Sequence, residues 1–289
     1  MNNLLAKILV LFSRLPLGVL YAIADILFFF QKYFIQYRSH IVTKNLKIAF
    51  PEKTDKEIKR IKNKFFRHLC DFPMESVKSL HITQDQLDQR LTFKNLEVLH
   101  KIKAENKNLV LLCGHIFNWE WLIGLTSSLP SKKSYAVYYP SNNKAINELT
   151  IKSRESFGTQ VITMKETARK VMQAPNNGES TFLMVSDQRP HFSKIHYDLD
   201  FFNHNAPVFQ GYDKLIRKKN MAAVYIHITK TSRGHYTYEF IEIMPNGKAF
   251  MPNEVVHKFY YLLEENIKAD PSNWLWSHNR WKYKKGKDY

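Results

Sequence analysis

The sequence predicts an α/β protein in which a mixed, mainly parallel β-sheet is flanked by helices and preceded by an N-terminal membrane-associated helix. Short apolar runs of strand length recur at 109–113, 134–138 and 181–186, and segments with helix start and stop signals separate them. Residues 1–36 are strongly apolar. The 289 residues, 44% of them hydrophobic, suit one large domain or one domain with an appendage.

The N-terminal segment is expected to be a membrane anchor or interfacial helix at 1–36, followed by an α/β domain at 37–289. Its apolar runs, 4–12 and 15–30, are interrupted by Lys7 and Asp25. A span needs about 20 residues, so the segment could cross the membrane with its flanks or lie in the interface. The alternative is a buried helix of the globular fold. Basic residues after the segment mark the cytoplasmic side: Lys32, Arg38, Lys44 and Lys47.

The charge balance points to an acidic partner. The net charge is +17 and the isoelectric point is about 9.6, which suits an anionic lipid surface, a nucleic acid or an acidic protein. The two cysteines, Cys70 and Cys113, form no disulfide framework and favour a reducing compartment. The histidines are scattered, and no Cys-x-x-Cys, P-loop or Gly-x-Gly-x-x-Gly motif occurs. We therefore expect neither a metal nor a cofactor.

The stretch around His115 carries the strongest functional signal. Gly114 ends the apolar run 109–113, and Asn118 is a good N-cap for a helix starting at Trp119. His115 then lies in a strand-to-helix turn, where open α/β sheets commonly present their sites. If Glu120 occupies the first helical turn, its carboxylate could hold the His115 ring in one tautomer and leave the other nitrogen free as a general base. The alternative is that both residues have only capping roles.

Further polar residues follow other predicted elements. Arg154 lies in the last turn of a helix that runs from Asn142 or Asn143 to Phe157, where it suits the negative helix end. Asp187 and Gln188 follow the strand 181–186, so in a parallel sheet they share an edge with His115. They could position substrate hydroxyls or could simply form the turn.

The remaining elements are predicted from their own signals. Thr54 to Glu57 is a capping box that opens a helix, which Pro73 should kink or end. Segments 221–229 and 236–243 alternate as two strands around a hairpin at 232–234, and a helix is expected over 252–268. The tryptophan-rich block at 274–282 suits a membrane interface or the stacking of nucleic-acid bases. Phe201 and Phe202 could line a groove for an apolar ligand chain or pack in the core.

Gly114-His115-x-x-Asn118-Trp119-Glu120 resembles the active-site motif of the lysophospholipid acyltransferase superfamily, above all its bacterial lipid A biosynthesis (lauroyl/myristoyl) branch. The resemblance continues from the N-terminal region to the C-terminal block and includes these stretches: Asn45-Leu46, Phe50-Pro51-Glu52, Arg154-x-x-Phe157-Gly158, Asp187-Gln188, Phe201-Phe202 and 274–282. Tyr139 departs from the family pattern, which often has arginine before the proline at 140.

The resemblance implies O-acyl transfer from an acyl-carrier-protein or acyl-CoA thioester to a hydroxyl of a lipid acceptor. His115 would act as general base and Glu120 would orient it, both as catalytic residues. The substrate-binding residues would be Asn118, Arg154, Asp187 and Gln188. The implied partners are the acidic carrier protein, a membrane lipid acceptor and the anionic cytoplasmic face of a bacterial inner membrane, with no nucleic acid. Rival interpretations are transfer to an aminolipid, lysophospholipid or glycolipid, and a non-catalytic basic protein that binds membranes or nucleic acid.

Overall fold

The computed structural model describes residues 4–243, 250–283, 286 and 288. Its α-helices are α1 Leu4–Ser13, α2 Leu17–Phe30, α3 Ser39–Ala49, α4 Asp55–Lys78, α5 Gln84–Asp88, α6 Glu97–Ala104, α7 Lys144–Glu155, α8 Met164–Gln173, α9 Gly211–Lys219 and α10 Glu254–Ala269. The π-helix Gln31–Ile35 continues α2, and Trp119–Ser128 and Phe192–Lys194 are 3₁₀ helices. The helix predicted to start at Trp119 is present and has the tighter 3₁₀ form over Trp119–Ser128.

A seven-stranded sheet forms the centre of the fold. The strands of the described residues, in this sheet and outside it, are β1 Leu91–Lys94, β2 Leu109–Cys113, β3 Lys133–Tyr138, β4 Gln160–Thr163, β5 Ser180–Val185, β6 Asp198–Phe201, β7 His204–Pro207, β8 Ala222–Ser232 and β9 His235–Ile243. The sheet order is β1-β9-β8-β2-β5-β3-β4, and only the β8–β9 hairpin is antiparallel. A separate antiparallel pair, β6–β7, lies outside it. The predicted fold class, a mixed and mainly parallel sheet flanked by helices, is confirmed.

Strand β2 occupies the middle of the sheet, and every one of its side chains is buried. It pairs in parallel with β5, and Cys113 at its end lies opposite Val185 at the end of β5. The turns that follow these two strands therefore leave the sheet side by side, at the edge where α/β proteins usually carry their sites. The predicted common edge for His115 and Asp187 follows directly from this register.

Helix α4 begins at the predicted capping box, in which Thr54 accepts from the backbone N–H of Glu57. It does not end at Pro73, as one interpretation of the sequence had it, but continues to Lys78. The residues beyond the proline explain the continuation, because Glu75 and Lys78 are buried and hydrogen-bonded. These contacts outweigh the single backbone hydrogen bond that a proline removes from a helix.

The N-terminal helices have two different faces. Leu17, Leu20 and Ala24 of α2 are buried, and α2 packs along α4. The opposite face exposes large apolar side chains, among them Phe29 and Phe34. Within the described residues, Leu17–Ile35 is the one helix long and apolar enough to cross a membrane by length and composition. The segment is therefore partly built into the fold, and the division of the chain at residue 36 remains a prediction, with its first three residues outside the described part.

The C-terminal aromatic block belongs to the core. Trp274, Trp276 and Trp281 are buried, so the predicted membrane-interface or base-stacking roles of these tryptophans are wrong. Phe201 and Phe202 are buried against the same cluster, which decides between an acyl groove and core packing in favour of packing. Composition alone predicted exposed tryptophans, because basic residues next to them are typical of a protein surface, whereas the rings lie in the interior.

Candidate active site

The turn after β2 approaches its neighbours so closely that it needs a glycine. A Cβ atom on Gly114 would lie 2.5 Å from Leu263 Cδ1 of α10 and 3.3 Å from Asp187 Oδ2. The first distance is shorter than real Cβ contacts, so a Cβ here would displace the Leu263 side chain and crowd Asp187. The glycine that breaks the apolar run in the sequence thus lets the turn pack against both.

A buried carboxylate holds the histidine that follows. Asp187 Oδ1 lies 2.5 Å from His115 Nδ1, and Asp187 Oδ2 accepts from the backbone N–H of His115 at 2.9 Å. The Trp274 indole donates to Oδ2 as well, at 2.6 Å. Burial favours the neutral form of Asp187, but the charge of His115 and these hydrogen bonds outweigh it and lower the pKa of Asp187 to about 2. An ionised carboxylate can only accept, so Nδ1 carries the proton.

The other ring nitrogen is the chemically available one. With Nδ1 protonated, Nε2 carries the lone pair of the ring, and the Gln188 amide N–H donates to it at 3.3 Å. The His115 side chain is 19% exposed. The Trp119 ring packs edge-on to the imidazole at a centroid distance of 4.9 Å. Position, tautomer and access together suit a general base.

Glu120 does not make the contact with His115 that the motif spacing predicts. Its oxygens accept from Arg154 Nε at 3.0 Å and Nη2 at 2.7 Å, and the Trp119 indole donates to Oε1 at 3.0 Å. Burial would raise the pKa of Glu120, yet the Arg154 charge and hydrogen bonds outweigh it and lower that pKa. The carboxylate that contacts Nδ1 is instead that of Asp187, which was expected to bind substrate.

Arg154 comes from the end of α7, whose predicted N-cap is confirmed because Asn143 accepts from two backbone N–H groups. Its guanidinium and the Glu120 carboxylate are each 17% exposed and form a two-pronged ion pair. This pairing accounts for the charge of Arg154 inside the protein. Its expected contact with an anionic substrate is untested and remains a prediction.

Asn118 is committed to the scaffold. Its carbonyl oxygen accepts from the Glu120 backbone N–H at 2.9 Å, which confirms the predicted N-cap, and its amide donates to Glu75 Oε2 at 2.9 Å. The side chain has no exposed surface. This geometry does not fit the expected substrate contact or an oxyanion donor. It makes Asn118 a residue that holds the turn in place.

The described residues contain no group of three or more His, Cys, Asp or Glu side chains that could hold a metal ion. Cys70 and Cys113 are both free and buried. Burial, reinforced by the charges of Asp187 and Glu120, raises the pKa of the Cys113 thiol, so it stays neutral beneath the site. The ionisable side chains that pair at this edge include His115 with Asp187, and Arg154 with Glu120.

Sequence reasoning missed the Nδ1 partner and the buried residues behind the turn, Glu75 and Trp274. Asp187 directly after a buried strand was a usable signal, since it already predicted proximity to His115. Glu75 gave no signal, because an acidic residue in a helix of mixed polarity is usually exposed.

A histidine whose ring is held by a buried carboxylate at the carboxyl edge of a mainly parallel sheet is an arrangement typical of α/β enzymes. The sequence profile described as bacterial lipid A biosynthesis acyltransferase matches residues 2–283, and the chain belongs to that family of acyltransferases. The family expected from the sequence is thereby confirmed.

The chain is also similar, at low sequence identity, to individual proteins whose names place them in the same family. The chain is 22% identical over 277 residues to the lipid A biosynthesis palmitoleoyltransferase of Escherichia coli (strain K12), which covers 95% of this chain and 89% of that protein. It is 20% identical over 242 residues to a lipid A biosynthesis acyltransferase of Haemophilus influenzae, covering 80% and 72%. The similarity to lipid A biosynthesis acyltransferase 2 of Shigella flexneri, 24% over 164 residues, spans 55% of this chain and half of that protein.

Proposed function

We propose that this protein transfers a fatty acyl group from an acyl-carrier-protein thioester, or from acyl-CoA, to a hydroxyl of a lipid A precursor at the cytoplasmic face of a bacterial inner membrane. The observation that carries the chemistry is the 2.5 Å contact between His115 Nδ1 and Asp187, which leaves Nε2 as an accessible base. The proposed acceptor rests on the similarity of the chain to enzymes of lipid A biosynthesis.

In this reaction Nε2 of His115 removes the proton of the acceptor hydroxyl, and the oxygen attacks the thioester carbonyl. The tetrahedral intermediate collapses with cleavage of the C–S bond, and the imidazolium returns its proton to the departing sulfur. Asp187 stabilises the imidazolium through Nδ1–H. Gln188 lies 3.3 Å from Nε2 and is suited to contact the incoming hydroxyl. The catalytic contribution of Glu120 is expected through its charge, since its hydrogen bonds go to Arg154 and Trp119.

The membrane and the donor are proposed from surface properties. The apolar side chains exposed on Leu17–Ile35 suit insertion into a bilayer, and the net charge of +17 suits both anionic lipid and an acidic carrier protein. Phe30→Glu and Phe34→Glu should shift the protein toward the soluble fraction at low salt. Retention of both variants on membranes would argue against insertion through this face.

The test of the function follows acyl transfer by mass spectrometry, with acyl-carrier-protein and acyl-CoA donors and vesicles that contain a lipid A precursor. His115→Ala should lower kcat by roughly 10²–10⁴-fold, the usual effect of a positioned base. His100→Ala, which removes an exposed histidine from α6, is the matched control. Normal transfer by folded His115→Ala protein would refute the mechanism, and transfer only to an aminolipid, lysophospholipid or glycolipid would refute the proposed acceptor.

A non-catalytic role in nucleic-acid binding loses its main support, because the C-terminal tryptophans that would stack on bases are buried.

A further inference from the structure

A buried glutamate behind the active-site turn joins three separate parts of the fold. Glu75 lies in α4 and has no exposed surface. Its Oε1 accepts from the Tyr21 hydroxyl of α2 at 2.8 Å, and its Oε2 accepts from the Asn118 amide at 2.9 Å and the Tyr236 hydroxyl of β9 at 2.7 Å. The Trp121 indole donates to the Glu75 backbone oxygen at 3.1 Å. One residue therefore touches the apolar N-terminal helix, the sheet and the site.

The hydrogen bond from Asn118 to Glu75 links the position of Glu75 to the turn that carries His115. The Asn118 carbonyl side-chain oxygen already accepts from the Glu120 N–H, so its amide end has to donate, and Glu75 supplies the acceptor. The backbone oxygen of Asn118 accepts from the Tyr238 hydroxyl at 2.8 Å. Asn118 is thus held at three points between His115 and Glu120. A shift of Glu75 would move the end of the turn that carries the base.

The bond to Tyr21 brings in the N-terminal helix. The Tyr21 hydroxyl occupies a confined space, since a Cβ on Gly234 would lie 2.2 Å from it, and its ring packs under the Arg233 guanidinium at 4.5 Å. Arg233 also bonds Asp25 of the same helix at 3.0 Å. Tyr21 can reach Glu75 only when α2 is seated in this way. The same helix exposes its apolar side chains on its other face.

We propose that Glu75 is a positioning residue for acyl transfer and that Tyr21, through Glu75 and Asn118, couples the seating of the apolar helix α2 to the geometry of the turn that carries His115. The inference rests on the proposed function for its kinetic effect, while its structural part stands without it. Full activity then requires α2 to be docked on the domain. A membrane that holds α2 in its docked position thereby also stabilises the position of the active-site turn.

The test compares Tyr21→Phe with Tyr197→Phe, because each removes one tyrosine hydroxyl that bonds a neighbouring side chain, and Tyr197 pairs with His257 instead. Tyr21→Phe should lower kcat about 5- to 10-fold, as expected when one hydrogen bond is lost. KM for donor and acceptor should stay near wild type. Hydrogen exchange of the backbone amides in 114–121 should quicken in Tyr21→Phe and stay unchanged in Tyr197→Phe.

Glu75→Gln provides a second, stronger perturbation. The new side-chain NH₂ group would face one of the donors from which the Glu75 carboxylate now accepts. Hydrogen exchange of the amides in 114–121 and kcat should therefore change more than in Tyr21→Phe. Unchanged exchange in 114–121, or unchanged kcat, in folded Tyr21→Phe protein would overturn the proposal, as would a change confined to KM. If wild-type protein transfers no acyl group, the proposed function fails, while the exchange measurement still decides the coupling.

Discussion

Replacing Asp187 by asparagine tests which carboxylate orients the catalytic histidine. Asp187 Oδ2 accepts from two N–H groups, the His115 backbone and the Trp274 indole, whereas Oδ1 faces Nδ1. In Asp187→Asn the side-chain oxygen has to take the Oδ2 position, so the new NH₂ group faces Nδ1. Nδ1 must then accept, and the ring adopts the tautomer with its proton on Nε2. The base loses the lone pair that it needs.

The magnitude follows from the charge and the tautomer together. The pKa of Asp187 falls from its ordinary value of 3.8 to about 2 chiefly through His115, against the opposing effect of burial. The ionised carboxylate stabilises the imidazolium that forms during catalysis, and the neutral amide of asparagine cannot replace this charge. The wrong tautomer adds to this loss, so kcat should fall by roughly 10²–10⁴-fold.

The assay is single-turnover acyl transfer in vesicles, with nitrogen-15 NMR of the His115 ring to read its tautomer. Asp213→Asn is the matched control, since Asp213 is also buried and also accepts from a backbone N–H and from a side-chain N–H. Asp187→Asn should change both rate and tautomer, and Asp213→Asn neither, per folded molecule. A folded Asp187→Asn enzyme that works at near wild-type rate, or one in which His115 keeps its wild-type tautomer, would refute the assignment of the orienting role to Asp187.

Three further outcomes follow from contacts around the site. Glu120→Gln should destabilise the fold by about 2 kcal/mol because Arg154 loses its counter-charge, and adding Arg154→Met should recover most of that loss in a denaturant-based double-mutant cycle. Gly114→Ala should cost about 1–3 kcal/mol by overpacking against Leu263, with Leu263→Ala in the same chain restoring part of the melting temperature. Burial lowers the pKa of His278 from 6.5 to about 4, so its neutral form stabilises the fold above pH 6.5. Denaturation at several pH values should show up to about 3 kcal/mol of that stability lost between pH 6.5 and 4, and His278→Gln should flatten this slope.

The sequence predicted the parts of the site that depend on local pattern. The apolar runs at 109–113 and 181–186 became β2 and β5, and the turns after them brought His115 and Asp187 to one edge. Caps at Asn118 and Asn143 were equally local and were found. Each of these features is written in a few consecutive residues, which is why pattern rules reach it.

The pairing of charges was beyond local reasoning. Asp187 is 72 residues from His115, and its approach depends on the register between β2 and β5. Glu120, only five residues away, was the natural candidate by spacing, yet Arg154 arrives from α7 and takes both of its oxygens. The prediction for the C-terminal tryptophans was wrong for a related reason, because composition does not reveal whether a ring is buried or exposed.

The spacing of His115 and Glu120 has a physical explanation in two separate charge pairs. A guanidinium that is only 17% exposed needs a carboxylate, and Glu120 at the start of the 3₁₀ helix provides it. If Glu120 turned to His115 instead, Arg154 would lose this partner, while the His115 ring already has Asp187 as its own. The arrangement in which Glu120 pairs with Arg154 and Asp187 with His115 leaves neither partner without a carboxylate, and it therefore has the lower energy. The motif keeps Glu120 beside the histidine, where its charge acts through space, while Asp187 holds the ring.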